Sequence, residues 1–246
     1  MKKTKLLLIV LAACLLVGTA TGLTVAYFTA QATSQNIFTA GNVTIQFTEL
    51  AADGKTPIDV TGTTPAINYG VIYPGRRVEK KSTIKVLDVD GSMPAYLAAK
   101  IVITDGGSEY DIHSILCRPG TSDSKTKLDA FLQGGPWNGS LAKSSENEKL
   151  WSNSTYAVYY EEIPDGFAVY VLIRDAKAAN ESVIFLDSLN FPNTWSNAEF
   201  VTCSKLQLNI SVFAVQAQGL GSCQEAMLSS FNEQFQVFAG LTIPTN

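Results

Sequence analysis

From residue 42 onward apolar and polar residues alternate with a period of two, and this limits what the chain can fold into more than any other feature. Val43, Ile45 and Phe47 alternate with Thr44, Gln46 and Thr48, the pattern of a strand with one face in a core. Residues 84–89 and 96–104 repeat it, separated by Asp90-Gly91-Ser92-Met93-Pro94, which is turn chemistry. The clearest hairpin runs from 155 to 162, turns at Pro164-Asp165-Gly166 and returns over 167–174. It is β-branched and aromatic on both faces, which predicts a central position in a sheet. Residues 183–189 follow, and Leu206, Leu208, Ile210, Val212 and Ala214 mark a long closing strand. Many strands with no helices between them predict an all-β fold, a jelly-roll-like antiparallel sandwich filling one domain over 42–246.

Two stretches break the alternation. Between residues 119 and 153 the composition shifts to Ser, Gly, Lys and Asn; Leu128, Phe131 and Leu132 share a helical face and Gly134-Gly135-Pro136 ends it. This predicts a partly helical insertion between strands. A short C-terminal helix is expected over 223–235, after Gly219 to Gly221.

The N-terminus has a different grammar. Lys2, Lys3 and Lys5 precede an apolar run over 6–17, then small residues end in Thr24-Val25-Ala26 before Tyr27. That order reads as a signal peptide over 1–26, cut between Ala26 and Tyr27. Two alternatives keep the leader: weakly apolar residues continue to Phe28, enough to anchor in a bilayer, and Leu11-Ala12-Ala13-Cys14 resembles a lipidation site. Each reading places the body outside the cell, with the membrane met only through an uncleaved leader. Beyond the leader 15 Lys and Arg stand against 22 Asp and Glu, a net of −7. A mildly acidic body with 16% charged residues of mixed sign is not built to coat nucleic acid or anionic lipid.

Residues able to do chemistry are few. His113 is the only histidine, so a two-histidine zinc helix is excluded, and His113 with Cys117 makes at most half a site. Glu161 and Glu162 are neighbours on a strand and point to opposite faces, which is wrong for a catalytic pair. Asp88 and Asp90 share a face without any calcium-loop pattern. Cleavage would remove Cys14 and leave Cys117, Cys203 and Cys223, compatible with one disulfide and a free thiol or with three unpaired small hydrophobes. Five Asn-x-Ser/Thr triplets, at Asn42, Asn138, Asn153, Asn180 and Asn209, receive no function. The expectation is a protein that is not an enzyme, with no catalytic residues, no metal and no cofactor.

Ala26-Tyr27-Phe28-Thr29, followed by Asn36-Ile37-Phe38-Thr39-Ala40-Gly41-Asn42-Val43, resembles the leader junction of the TasA and camelysin family. These matrix-fibre proteins of Gram-positive bacteria are exported through a dedicated signal peptidase, SipW. Their aromatic cleavage junction is followed by a polar stretch and an F-x-A-G motif, matched here by Phe38, Ala40 and Gly41. Ile67-Asn68-Tyr69-Gly70 through Tyr73-Pro74-Gly75 to Ile84-Lys85-Val86, and residues 206–217, are similar to the family's strand, P-G turn and closing strand. The resemblance implies a secreted jelly-roll subunit of biofilm-matrix or cell-surface fibres. It implies that segment 27–41, freed by cleavage, adds a donor strand to the next subunit through Phe28, Ile37 and Phe38; the residues alone equally allow a loose terminus or a strand folded back on its own sheet. Partners would then be copies of the chain or related matrix subunits, and the dedicated signal peptidase during export. Camelysin's metallopeptidase activity does not carry over to a chain with one histidine. A monomeric cell-surface binding module is the alternative, and a camelysin-like peptidase a third.

Overall fold

A computed structural model of the chain describes residues 31–61, 67–68, 73, 75–89, 92–104, 135–136, 141–147, 149–164, 166–190 and 207–243. Among them lie β1 (Gln31–Ala40), β2 (Ile45–Leu50), β3 (Pro57–Asp59), β4 (Ile67–Asn68), β5 (Arg77–Val86) and β6 (Ala95–Thr104). There follow β7 (Ala142–Lys143), β8 (Leu150–Ser152), β9 (Tyr156–Ile163), β10 (Gly166–Lys177), β11 (Ser182–Asn190) and β12 (Gln207–Gln216). Two short helices close the described chain, α1 (Cys223–Ser230) and α2 (Asn232–Phe235), with a 3-10 turn at Gln236–Phe238.

The strands form two sheets, a larger one in the order β4-β1-β12-β6-β10-β9-β8-β7 and a smaller one in the order β11-β5-β2-β3. The fold is an all-β sandwich with a third, helical layer. Between the sheets, Ile45 and Phe47 of β2, Ile84 and Val86 of β5 and Phe185 of β11 meet Leu97, Ile101, Val169, Val171, Ile210 and Val212 of the larger sheet. The opposite face of the larger sheet carries Ala98, Tyr170, Leu172, Phe213 and Val215, and the helices lay Met227, Phe235 and Phe238 upon them. Phe213 meets Phe235 edge-on, ring centroids 4.8 Å apart. This second layer explains why all eight residues from Gly166 to Ile173 of β10 are buried: a strand covered on both faces reads as a continuous apolar run. The hairpin of β9 and β10 is thus central, with β6 on its other flank. Gly166 makes that arrangement possible at the turn, since a Cβ there would lie 1.8 Å from the carbonyl oxygen of Ile103 on β6.

The structure departs from the sequence expectations, or decides between them, at four places. Among the described residues the sandwich is antiparallel except at one ladder, where β1 runs parallel to β12. Segment 27–41, for which its residues leave open a place on its own sheet, is from Gln31 on a strand of the larger sheet. Its backbone can pair throughout because it contains no proline. Strand β5 starts at Arg77 rather than Ile84 and ends at Val86 rather than Val89. Finally, the described parts of 119–153 include β7 and β8, which extend the larger sheet beyond β9, whereas the predicted helix around Leu128 falls outside the described residues. The C-terminal helix forms in two pieces, because Phe231, with φ −137° and ψ 44°, closes α1 before α2 begins.

Candidate functional site

The N-terminal strand supplies the first candidate site. β1 pairs with β12 from Gln31 opposite Gln207 to Ala40 opposite Val215, with one irregularity where Gln35 is skipped. Its other edge meets β4 only at Gln31 and Ala32 among the described residues. The residues that would continue this ladder opposite Thr33 onward, 62–66, lie outside the described residues. A parallel pair has no hairpin to tie it together, and here the two strands come from opposite ends of the chain.

One short joint links β1 to the rest of the sandwich. Gly41 adopts φ +84°, a conformation that favours glycine, and carries the chain from the larger sheet toward β2 of the smaller one. Gln216, at the end of β12, fastens the joint by accepting a hydrogen bond from the Asn42 amide through Oε1 at 3.1 Å. The amide of Val43 donates to the Gly41 carbonyl at 3.1 Å, and Val43 then enters the core. The motif residues thus divide: Phe38 and Ala40 lie in β1, and Gly41 is its hinge. Ala40 is half-buried against the helical layer.

The second candidate lies on the inner face of the smaller sheet. Glu49 continues the inward series Ile45, Phe47, Glu49 on β2, and Lys80 and Ser82 continue Val78, Lys80, Ser82, Ile84 on β5. The ladder pairs Phe47 with Ile84 and Thr48 with Thr83, so the next step brings Glu49 opposite Ser82 with Lys80 on the diagonal. Lys80 Nζ stands 2.8 Å from Glu49 Oε2, and both side chains are 0% exposed. The Ser82 hydroxyl lies 3.1 Å from Glu49 Oε1 and also 3.1 Å from the Lys80 carbonyl. Burial pushes the Lys80 ammonium below its ordinary pKa, and the carboxylate of Glu49 pushes back with its charge and hydrogen bond. By contrast the pairs of Arg77 with Glu79 and Asp187, at 2.7 and 3.1 Å, are exposed and worth little.

Of the residues singled out from sequence, Ile37 and Phe38 fall in β1 opposite Val212 and Phe213. Ala26, Tyr27 and Phe28 lie outside the described residues, as do His113, Cys117, Cys203 and Asp90. Cys223 is buried as a free thiol whose Sγ lies 3.4 Å from the Leu97 carbonyl, and burial holds its pKa well above the usual thiol range. Glu161 accepts a hydrogen bond from the Tyr170 hydroxyl while its neighbour Glu162 is exposed, so the two are engaged on different faces. Asp88 accepts from Asn180 Nδ2 at 3.1 Å on the surface. Glu49, Lys80 and Ser82 were missed by sequence reading. The available signal was the spacing of Val78, Lys80, Ser82, Ile84 and Val86, which puts a lysine in register with core positions.

Set against models of protein families, curated proteins and solved structures, the chain matches none.

Proposed function

We propose that this chain is a secreted structural protein, a subunit or accessory component of extracellular matrix or cell-surface fibres that assembles by strand addition. The observation that carries the reading is the position of β1, an N-terminal strand lying parallel to β12 and held to the sandwich through the Gly41 hinge. Because no hairpin enforces the pairing within one chain, β1 of a second copy offers β12 the same backbone in the same register. Donor and acceptor are then different surfaces, so the contact is heterologous and propagates instead of closing. The strand seen within one chain is the closed form of the subunit; in the fibre the same ladder joins neighbours. The leader and the resemblance of the Phe38-Thr39-Ala40-Gly41 junction to fibre proteins support the same reading.

Sedimentation of two proteins tests it, the mature chain beginning at Tyr27 and a truncated chain lacking 27–40. The complete protein is expected to form large assemblies and the truncated one to stay a folded monomer. Identical monomeric sedimentation of both over a wide concentration range would replace the fibre reading by the monomeric binding module.

A further inference from the structure

We propose that Lys80 and Glu49 are the two halves of an autocatalytic isopeptide cross-link that joins β5 to β2 inside the sandwich. The geometry of the reactants is already assembled. Lys80 Nζ lies in hydrogen-bond contact with Glu49 Oε2 at 2.8 Å, which holds the nitrogen close to the carboxyl carbon Cδ. Two reacting groups fixed at such a distance react as if at very high concentration. The Ser82 hydroxyl at 3.1 Å from Oε1 stands where negative charge gathers when Cδ is attacked, the role of a donor in an oxyanion hole.

The step balances without any co-reactant. Lys80 Nζ passes one proton to Oε2, leaving a neutral amine beside a neutral carboxyl group. Its lone pair then bonds to Cδ, and Oε1 takes the charge under the Ser82 hydroxyl. When the intermediate collapses, the Cδ–Oε1 double bond re-forms and the Cδ–Oε2 bond breaks. Oε2 leaves as water with a second proton from Nζ, which keeps its third as the amide N–H. One cation and one anion become a neutral amide and one water.

Burial drives the step forward. Two opposite charges with no exposure keep a desolvation cost that their attraction only partly offsets. The amide removes both charges, and a site walled by Phe47, Val78 and Ile84 gives water little access for the reverse hydrolysis. The depressed pKa of Lys80 also favours the neutral amine that attacks. The bond would fasten β2, the first strand after the Gly41 hinge, so tension arriving through a donated β1 would meet a covalent tie before the sheet could unzip. That advantage rests on the fibre reading; the bond itself does not.

Mass spectrometry of the denatured monomeric protein decides the matter. The mature chain is expected to be lighter than its sequence by the mass of one water. After trypsin, peptide 78–81 should remain uncut at Lys80 and travel joined to the peptide that contains Glu49 and ends at Lys55. The K80R variant should show the full sequence mass. Full mass in the natural chain, with trypsin cutting after Lys80 and the two peptides separate, overturns the cross-link whatever the assembly experiments give.

Discussion

Gly41 sits so close to Gln216 that a Cβ built on it would lie 2.7 Å from both Cβ and Oε1 of that side chain. Combined with φ +84°, this makes Gly41→Ala strained on two counts, and a non-glycine residue held in that region costs about 1–3 kcal/mol. The variant is expected to lower the stability of the isolated subunit by that amount in denaturant titration. Because the strain falls on the joint that holds β1 in its own sheet, it should also speed assembly in light-scattering assays. Gly219, whose added Cβ meets nothing within 4 Å, is the control for conformation without crowding.

The helical layer is a packed part of the fold and not an appendage. Phe235 is fully buried and meets Phe213 edge-on at 4.8 Å and Tyr170 at 5.9 Å between ring centroids. Phe235→Ala removes the centre of that cluster, and truncations of this kind cost about 3–5 kcal/mol. The shift in denaturation midpoint measures it, with the slope against denaturant unchanged.

How far the sequence revealed this architecture depends on which face of each strand was polar. β6 and β10 are legible because their inward positions are apolar, and β2 because Val43, Ile45 and Phe47 set its alternation before Glu49 breaks it. In β12 Phe213 and Val215 alternate with the inward residues and face outward beneath the helices, a layer that period-two alternation cannot reveal. For β1 the sequence leaves its own sheet and a neighbour's equally open, because a run of small polar residues pairs through its backbone and leaves no hydrophobic signature. The first half of β5 is hidden for the opposite reason: Glu79, Lys80 and Lys81 are three charged residues in succession, yet Lys80 turns into the core to meet Glu49. No single-position pattern can announce a partner that lies on another strand.

Ser222 starts α1 by accepting a hydrogen bond from the Glu225 amide at 3.1 Å, and Glu225 Oε2 in turn accepts from the Gly221 amide at 2.8 Å. The first bond satisfies a donor that the first helical turn leaves open, and the second ties the preceding Gly221 to the helix. Ser222→Ala is expected to cost about 1 kcal/mol, and Ser222→Asp, which can cap as well, close to nothing. Thermal unfolding of the two variants side by side checks the difference.

Asp53 anchors the turn between β2 and β3. Its carboxylate accepts from the Thr56 hydroxyl at 2.6 Å and from the Thr56 and Lys55 amides at 2.9 and 2.8 Å, which lowers its pKa from 3.8 to about 2. A pKa lower in the folded chain than in the unfolded one means that folding favours the charged form. The contribution is therefore complete above about pH 4 and fades as the pH falls toward 2. An NMR titration of the Asp53 side chain is expected to show a midpoint near 2, and Thr56→Val should move it upward toward the ordinary aspartate value.

The central claim is that β1 of one subunit pairs with β12 of another, and chain-to-chain disulfide trapping tests it most directly. Asn36 and Ser211 are register partners across the parallel ladder, close enough for cysteines at both positions to bond. Asn36→Cys and Ser211→Cys are made in separate chains, mixed under assembling conditions and oxidised. Donation between subunits predicts a disulfide-linked dimer of the two different chains that peptide mapping traces to these positions, and that neither chain yields alone. Absence of that dimer, while a chain carrying both substitutions closes its disulfide internally, would show that β1 never leaves its own sheet and would contradict the account.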